Sequence, residues 1–590
     1  MHHPQPKATL CKAPGRNGQS IYYDWLMYFA KHWLPFLSWP KPSAQLLKSE
    51  AFAGLSVGLM VIPQGVAYAA LAGMPLITGI YASLLPALVA VLFSASQRLS
   101  VGPTALTAIL VSASLGGMAT PGSAEWVNLT VWLSLMTGLL QVVLGFARFG
   151  WLLNLVSSPV LMAFTQGAGV LIISSQIPAM LGLTQGWSTL VTAMGTGAGI
   201  DWASLVFGVI TLVLLLLARR WRPTFPTVLV VVLGAAGASW ALGLEASGTA
   251  VVGALPQGLP ALFVPHVIEW EVFKQLVLPT LVITLVSFLE TASSAKVDND
   301  RSGKRWDQDQ DLIGQGLAKV ASGLCGAFPT SSSFSRSALN LYAGAQSAWA
   351  TIFSVAVILV ILLCFTAVLQ PVPQSVLAAI VVAAVLGLIK PRAFVQLYNI
   401  NRVEAATAVV TFVITLLSAP RLYWGVLAGV VMGLSHFLHT RLHPRIIEVG
   451  LHADGSLRDR HLWQLPPLAP HLYALRMDAE LDFAAASTLE RNVMEHLSQH
   501  PSVAHVCLFA LPINRIDATG VESLAKLEAM LRERGISLHI SGMKLPVETV
   551  LRRAGCLQAH AGLHMYRTDV EAIQQLRQLG ALPADMGWCI

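Results

Sequence analysis

Between Glu50 and Arg441 the chain is a succession of apolar runs separated by short polar breaks. Many runs approach the roughly 20 residues that a helix needs to cross a bilayer core. Candidate spans begin near Phe52, Ile77, Pro103, Trp126, Leu152, Ala203, Thr227, Leu276, Leu312, Phe334, Ala350, Pro373, Ala405 and Trp424, about fourteen in all. Several are short or interrupted by Gly and Pro, and 151–183 is one apolar run that could hold a long or a bent helix. From about His471 the pattern changes. Strand-like runs (Leu472–Arg476, Val503–Ala510, Ser537–Ser541) alternate with amphipathic helix-like runs (Ala486–Ser498, Gly520–Glu533, Val547–Ala554). That alternation predicts a small α/β domain. Four segments follow: a cytoplasmic tail over 1–30, a transmembrane domain over 31–440, a Pro- and His-bearing linker over 441–470, and an α/β domain over 471–580. The tail is polar and basic and lacks the apolar core of a signal peptide.

Composition sharpens this picture. The 590 residues are 55% hydrophobic and 11% charged, against about 25% charged in a soluble domain. Residues 151–200 carry no Lys, Arg, Asp or Glu, whereas ordinary charge density returns after Arg441. The net charge of +7 does not point to nucleic acid, because the basic residues lie in short loops and form no patch or arm. With a cytoplasmic N-terminus, the loops after even-numbered spans carry Arg98, Arg148, Arg219, Arg220, Arg222, Lys296 to Arg305, Lys390, Arg392 and Arg402. The opposite loops carry Glu125, Asp201, Glu245, Glu269 and Glu271, with Lys274 and Arg421 as their positive charges. This positive-inside bias predicts a multi-pass protein of the cell (inner) membrane with both termini cytoplasmic. Asp298–Asp311 reads as a hydrophilic cytoplasmic loop. Six scattered cysteines suggest neither a disulfide framework nor a zinc site. The sequence holds no phosphate-binding loop, metal-ligand cluster or nucleophile–base pair, which excludes an ATP-driven pump and gives no support to an enzyme.

The polar residues inside the apolar runs carry the candidate chemistry. The first span contains Val61-Ile62-Pro63-Gln64-Gly65. It reads either as a proline kink or as a helix broken at a substrate site, where freed backbone groups line a polar cavity. The third span opens with Arg98-Leu99-Ser100-Val101-Gly102-Pro103-Thr104, and the tenth with Phe328-Pro329-Thr330-Ser331-Ser332-Ser333-Phe334-Ser335-Arg336-Ser337. Each has an extended, hydroxyl-bearing lead-in and then a short helix. Helix N-termini present free N–H groups and a positive dipole end, which suit anions. Half-helices in corresponding positions of two halves point to a midplane site in a transporter of inverted repeats, here seven plus seven spans. Capping explains one hydroxyl, but not four in a row beside an arginine at membrane depth. Arg336 either holds the anion, sets the local potential, or pairs with a carboxylate such as Glu290. Glu290 is the one charge between Lys274 and Lys296. It could carry a proton, join neighbouring hydroxyls in binding Na⁺, or play a structural pairing role. Lys319, in the ninth span, is a second unexpected charge.

These residues resemble the sulfate permease (SulP) family of anion transporters. The resemblance is carried by Ala53-Gly54-Leu55-Ser56-Val57-Gly58-Leu59, Pro63-Gln64-Gly65-Val66-Ala67-Tyr68-Ala69, Gly79-Ile80-Tyr81-Ala82-Ser83, Ser100-Val101-Gly102-Pro103, Ile313-Gly314-Gln315-Gly316 and Ser333-Phe334-Ser335-Arg336-Ser337-Ala338-Leu339-Asn340. The C-terminal part resembles a STAS domain, with Ile516-Asp517-Ala518-Thr519-Gly520 on its strand–helix loop. The resemblance spans about 30–570 and implies a polytopic α-helical membrane protein. Its spans would form 7+7 inverted repeats divided into core and gate domains, with a C-terminal α/β STAS domain. It implies an anion held between the third and tenth helices by Gln64, Tyr68, Pro103, Thr104, Ser333, Phe334, Ser335 and Arg336, with Glu290 and Ser294 handling the coupling ion. Family members carry sulfate, bicarbonate, chloride or dicarboxylates, by symport or exchange, and are typically homodimers. Phe334 departs from the threonine of a sodium-coupled relative, Gln64 stands where some relatives have glutamate, and Lys319 replaces a small or amide residue. Asp517 and Thr519 are regulatory candidates, Thr519 as a phosphorylation site or as part of a plain strand–helix turn.

The leading expectation is therefore a proton-coupled sulfate symporter working by elevator-type alternating access. It would use no cofactor beyond H⁺, with Na⁺ as the alternative coupling ion. Its partners would be the small anion, the lipid bilayer, a second copy of the chain and a protein at the STAS domain. A bicarbonate or C4-dicarboxylate carrier and an anion exchanger are the alternatives within transport. A membrane-anchored STAS signalling protein is the alternative outside it.

Overall fold

A computed structural model of the chain describes residues 34–183, 200–221, 227–303, 305–419, 421–556, 562–578 and 582. The expected tail over 1–30 lies outside the described residues. Two compact units divide at Gly433 and Leu434.

The first unit is helical, and an element stands at or near each expected span. The elements are α1 Ala44–Leu71, α2 Thr78–Phe93, β1 Val101–Gly102, α3 Ala105–Leu115, α4 Ala124–Phe146, α5 Ser158–Met180, α6 Trp202–Trp221, α7 Thr227–Leu242, α8 Trp270–Ser302, α9 Gln308–Leu324, β2 Ser331–Ser332, α10 Phe334–Tyr342, α11 Trp349–Cys364, α12 Gln374–Leu386, α13 Arg402–Leu417 and α14 Tyr423–Leu442. Four helices (α1, α4, α5 and the Trp270–Ala295 part of α8) are long and apolar enough to cross a membrane alone. At 11 and 9 residues, α3 and α10 are too short to do so.

Packing sorts the helices into two bundles. In one, α1 packs on α11, α9 lies against α4 and α2, and α8 touches α3, α4 and α10. In the other, α5 packs on α13 and α12, and α6 on α12. The pairing of α6 with α12 matches that of α13 with α5 when each helix is exchanged for the one seven places away. This is the mark of two repeats of seven helices each, and the antiparallel pairing of β1 with β2 fits their inversion. Close crossings hold the first bundle together. A methyl group on Gly138 of α4 would stand 2.7 Å from the Gly316 carbonyl oxygen of α9, and one on Gly316 would stand 2.6 Å from that of Gly138. Glycine lets these two backbones touch.

Four expectations need correction. Helix α1 runs unbroken from Ala44 to Leu71 with Pro63 inside it, so Pro63-Gln64-Gly65 does not break the helix. The run 151–183 holds a short 3₁₀ turn, Gly150–Leu155, before α5. The expected loop Asp298–Asp311 is mostly helical, because α8 extends to Ser302 and α9 begins at Gln308. Between α12 and α13 lies a further short helix, Arg392–Ile400, with no buried residue; its nine residues were too few to register as a span.

The charges around the α8–α9 turn are structural. Arg98 Nε meets Asp298 Oδ1 at 2.6 Å. Buried Asp311 accepts from the Ser96 amide (3.0 Å), the Ser96 hydroxyl (2.6 Å) and Trp306 Nε1 (2.7 Å). These bonds tie the segment before β1 to the α8–α9 turn.

The second unit contains a six-stranded sheet in the order β4-β3-β5-β6-β7-β8, with β3 Ile446–Leu451, β4 Leu457–Asp459, β5 Leu472–Met477, β6 His505–Phe509, β7 Ser537–Ser541 and β8 Leu563–Tyr566. Strands β5 to β8 are parallel, and β3 joins β5 antiparallel. The segment read as a linker, 441–470, thus supplies two strands. Its weak alternation and intervening turn hid them. Helices α15 Ala486–Gln499, α16 Ala518–Glu533 and α17 Leu545–Arg553 cover one face through Leu489, Val493, Leu524, Leu527 and Leu551. The last helix, α18 Asp569–Gln578, packs on the other. On that second face His539 Nε2 lies 3.1 Å from His505 Nδ1, and its Nδ1 lies 3.0 Å from the Tyr566 hydroxyl. Desolvation, and then the neighbouring His564 and His505, push the His539 pKa down to about 3.

Two outcomes follow for stability. Asp311→Ala should lose about 3 kcal/mol, because charged acceptor bonds are removed and buried donors are stranded; a thermal melt in detergent checks this, with Asp311→Asn nearer the parent. His539 folds neutral but charges when unfolded near pH 6.5, so its stabilising share is complete above pH 6.5 and declines as pH falls toward 3. Melts of the full chain between pH 7.5 and 5 should show this loss, and His539→Phe should reduce it.

Candidate functional site

Two stretches of chain leave the helical state inside the first bundle, and each satisfies the other. Val101 faces Ser332 and Gly102 faces Ser331 across the β1–β2 pair. The Ser333 amide donates to the Ser100 carbonyl (3.0 Å), and the Ser100 amide donates to the Ser337 hydroxyl (3.0 Å). Asn340 Nδ2 donates to the Arg98 carbonyl (2.9 Å). Because the strands are antiparallel, α3 and α10 leave the pair in opposite directions. Their positive ends therefore converge on it, and their first-turn N–H groups have no acceptor within their own helices.

Arg336 is 1% exposed and ties the two lead-ins together. Its Nε donates to the Ser100 hydroxyl (3.3 Å) and its Nη1 to the Pro103 carbonyl (2.9 Å). Its Nη2 is buried without a hydrogen-bond partner among the described residues. No carboxylate lies within salt-bridge distance of it there. Of the alternatives for Arg336, an ion pair with Glu290 is therefore not formed. Glu290 instead accepts from the Thr104 hydroxyl at 3.1 Å, while Thr104 also caps α3. Tyr68, buried on α1, lies within the electrostatic reach of both Arg336 and Glu290.

The structure gathers most of the sequence-derived residues here. Gln64 is buried on α1, and its Oε1 has no partner among the described residues. The hydroxyls of Thr330 and Ser332 are likewise buried and unpartnered. Ser333 and Ser335 hydroxyls lie 3.4 Å apart, with Ser335 and Phe334 exposed. Ser294 is the outlier: its hydroxyl donates to the Glu290 carbonyl (3.1 Å), one turn back on α8. The sequence also missed partners. Ser331 donates to the Ser287 carbonyl (3.1 Å), and Asn340, the last residue of the motif beginning at Ser333, acts through the Arg98 carbonyl. The unsatisfied donors, Arg336 Nη2 and the Thr330 and Ser332 hydroxyls, together with two helix N-termini, make a cradle for a small oxygen-rich anion, since buried polar atoms seek partners.

In the second unit, Asp517 is the cap of α16. Its Oδ1 accepts from the Gly520 amide (2.8 Å) and its Oδ2 from that of Phe483 (2.9 Å). Burial raises its pKa, but the amides of Gly520, Phe483 and Thr519 outweigh it and leave the carboxyl below the usual range. Thr519 is exposed on the same turn. The geometry is that of an ordinary helix start.

With the fold and site in place, comparison with known proteins agrees. Residues 47–411 match the sulfate permease family and 467–572 match the STAS domain. The chain belongs to the sulfate permease family: it is a membrane transporter of the anion-carrying kind, not an enzyme. It is similar to a probable sulfate transporter (MT1781) of Mycobacterium tuberculosis, at 30% identity over 90% of this chain and 96% of the relative. It is also similar to the sodium-independent sulfate anion transporter of Bos taurus, at 28% identity over 94% and 93%. Among solved structures, SLC26A9 superposes with TM-score 0.83 at 19% identity over 99% of both chains. The transmembrane domain of the cyanobacterial bicarbonate transporter BicA does so at 0.57 and 19%, over 66% of this chain and 98% of that one.

Replacing Arg336 should show what its two contacts and its unpartnered Nη2 are for. Arg336→Ala should reduce anion uptake into proteoliposomes to background. Arg336→Lys should retain about a tenth, because an ammonium lacks the planar fork that reaches Ser100, Pro103 and a third partner together.

Proposed function

We propose that the protein is a secondary active transporter of a small inorganic anion, with sulfate the substrate and the proton the coupling ion. The observation that carries this reading is the unpartnered, buried Arg336 Nη2 between two converging helix N-termini, beside a carboxyl held by Thr104. The relatives named as sulfate transporters support the choice of substrate. Sulfate binds by its oxygens to N–H groups and guanidinium. Glu290, close to that site, takes up a proton with the anion and limits the charge carried across the low-dielectric core. Phe334, in place of the threonine of a sodium-coupled relative, supplies no oxygen ligand and favours the proton over Na⁺.

Alternating access proceeds by an elevator. Every candidate residue (Gln64, Tyr68, Pro103, Thr104, Glu290, Ser333, Phe334, Ser335, Arg336) lies on the bundle containing α1–α4 and α8–α11. The other bundle, α5–α7 and α12–α14, serves as the gate past which the site moves. The protein works as a homodimer in the inner membrane with both termini cytoplasmic, where the STAS domain meets protein partners through surfaces such as the α16 turn.

Radiolabelled sulfate uptake by the purified protein in proteoliposomes tests this. An inward proton gradient should raise uptake, and replacing Na⁺ should leave it unchanged. Glu290→Gln should abolish the response to the gradient while preserving sulfate–sulfate exchange, because a fixed neutral residue still permits the loaded carrier to move. Full gradient-driven uptake by Glu290→Gln would refute proton coupling through this carboxyl.

A further inference from the structure

Lys319 is fully buried on α9 and has no part in the cradle around Arg336. The glycine crossing of α4 and α9 lies one turn away at Gly316. Lys319 Nζ donates to Gln141 Oε1 at 2.9 Å. Gln141, itself fully buried, is held in that orientation because its Nε2 donates to the Thr284 carbonyl (3.1 Å) and the Ser287 hydroxyl (3.1 Å) of α8. The Ser287 carbonyl in turn accepts from Ser331 of β2. Lys319 is thus wired through two neutral residues to the lead-in of α10, and the carboxylate acting on it is Glu290.

No carboxylate lies within salt-bridge distance of Lys319 among the described residues. The surroundings are nonetheless polar. One turn away, Gln315 is buried with neither end of its amide bonded among the described residues, and the Thr284 hydroxyl of α8 is likewise unpartnered there. An ammonium offers three donors, and a buried cation without a contacting counterion is costly unless a charge arrives to balance it.

We propose that Lys319 is the second cation of the anion-loaded carrier, charged when the anion is bound, and that Lys319 and Arg336 together match the site to a divalent oxyanion rather than a monovalent one. The inference rests on the anion-transport reading. The groups that decide the charge are Arg336 on α10, Lys319 on α9 and Glu290 on α8; Gln141, Ser287, Thr284, Thr104 and Ser331 around them are neutral. Two cations and a protonated Glu290 balance a dianion, so the loaded carrier crosses without net charge. With a neutral residue at 319, the same site balances a monoanion. Because Coulomb energy scales with the product of the charges, a dianion gains twice what a monoanion gains from Lys319 at the same distance. Removing that charge therefore weakens the binding of both, and costs a dianion twice the free energy that it costs a monoanion.

The test uses the full-length protein in proteoliposomes, with labelled sulfate uptake competed by selenate (divalent) and by nitrate and bicarbonate (monovalent). Wild type should prefer selenate. In Lys319→Gln and Lys319→Met the affinity for monovalent competitors should fall about tenfold and that for divalent ones about a hundredfold, so that the divalent preference falls about tenfold, and Lys319→Arg should retain the wild-type preference. The same selectivity in Lys319→Gln and wild type would overturn the proposal. So would a Lys319→Arg variant that behaves like Lys319→Gln, or neutral variants that fail to fold while Lys319→Arg folds and loses its preference. Wild type that carries monovalent anions but no divalent one would overturn it and leave the anion-carrier reading intact. No anion flux of either kind would remove that reading and this inference with it.

Discussion

A chain inside a bilayer cannot leave a backbone N–H or C=O unpaired, because no water is there to take it. The site of this protein is organised by that constraint. The residues before α3 and α10 leave the helical state at membrane depth, and they do so in register with each other. Val101 and Gly102 pair with Ser331 and Ser332, Ser100 and Ser337 exchange a further bond, and Arg336 closes the arrangement from the side. Neither half-helix can hold its place without the other. Bringing them together fixes two positive helix ends around one small region, and the anion-binding character is a consequence of that geometry.

The charges complete the design. Arg336 has two of its nitrogens engaged in holding backbone and side chain, and the third has no partner among the described residues. Glu290 stands by Thr104 rather than against the guanidinium. Had the two formed a contact ion pair, each would have neutralised the other, and an incoming anion would have had to break the pair first. Separation keeps the arginine available to a ligand and the carboxyl available to a proton. Lys319 adds a second cation one layer behind, reached through Gln141. The glycine crossing of α4 and α9 matters for the same reason, since it brings the helices carrying Gln141 and Lys319 into contact.

Much of this was legible in the sequence. Apolar runs gave the fourteen spans, because long hydrophobic stretches leave little freedom in a membrane. The hydroxyl-rich lead-ins gave the α3–α10 site, because four hydroxyls and an arginine are costly in an apolar segment and persist there when they serve a polar site. The strands β5, β6 and β7 and the three helices that follow them showed as ordinary α/β alternation. What stayed hidden depended on partners distant in sequence. Pro63 looked like a break, yet α1 runs through it, since helix packing can restore what a proline removes. The Asp298–Asp311 stretch looked like a loop, because its charges pair with Arg98 and Ser96 some 200 residues earlier. Strands β3 and β4 were read as linker, because the short β3 becomes a strand only by pairing with β5. Arg336 and Glu290 were each found, but that they stand apart could be seen only in three dimensions.

The central claim is that one anion sits between the converging N-termini of α3 and α10, in contact with Arg336. Selenate is a tetrahedral dianion with a strong anomalous signal, so diffraction from the protein crystallised with it tests the claim directly. The account predicts one selenium peak per chain, within hydrogen-bonding distance of Arg336 Nη2 and of first-turn amides of α3 and α10, and its absence in Arg336→Ala. A peak elsewhere in the transmembrane unit, with this region empty in the wild type, would contradict it.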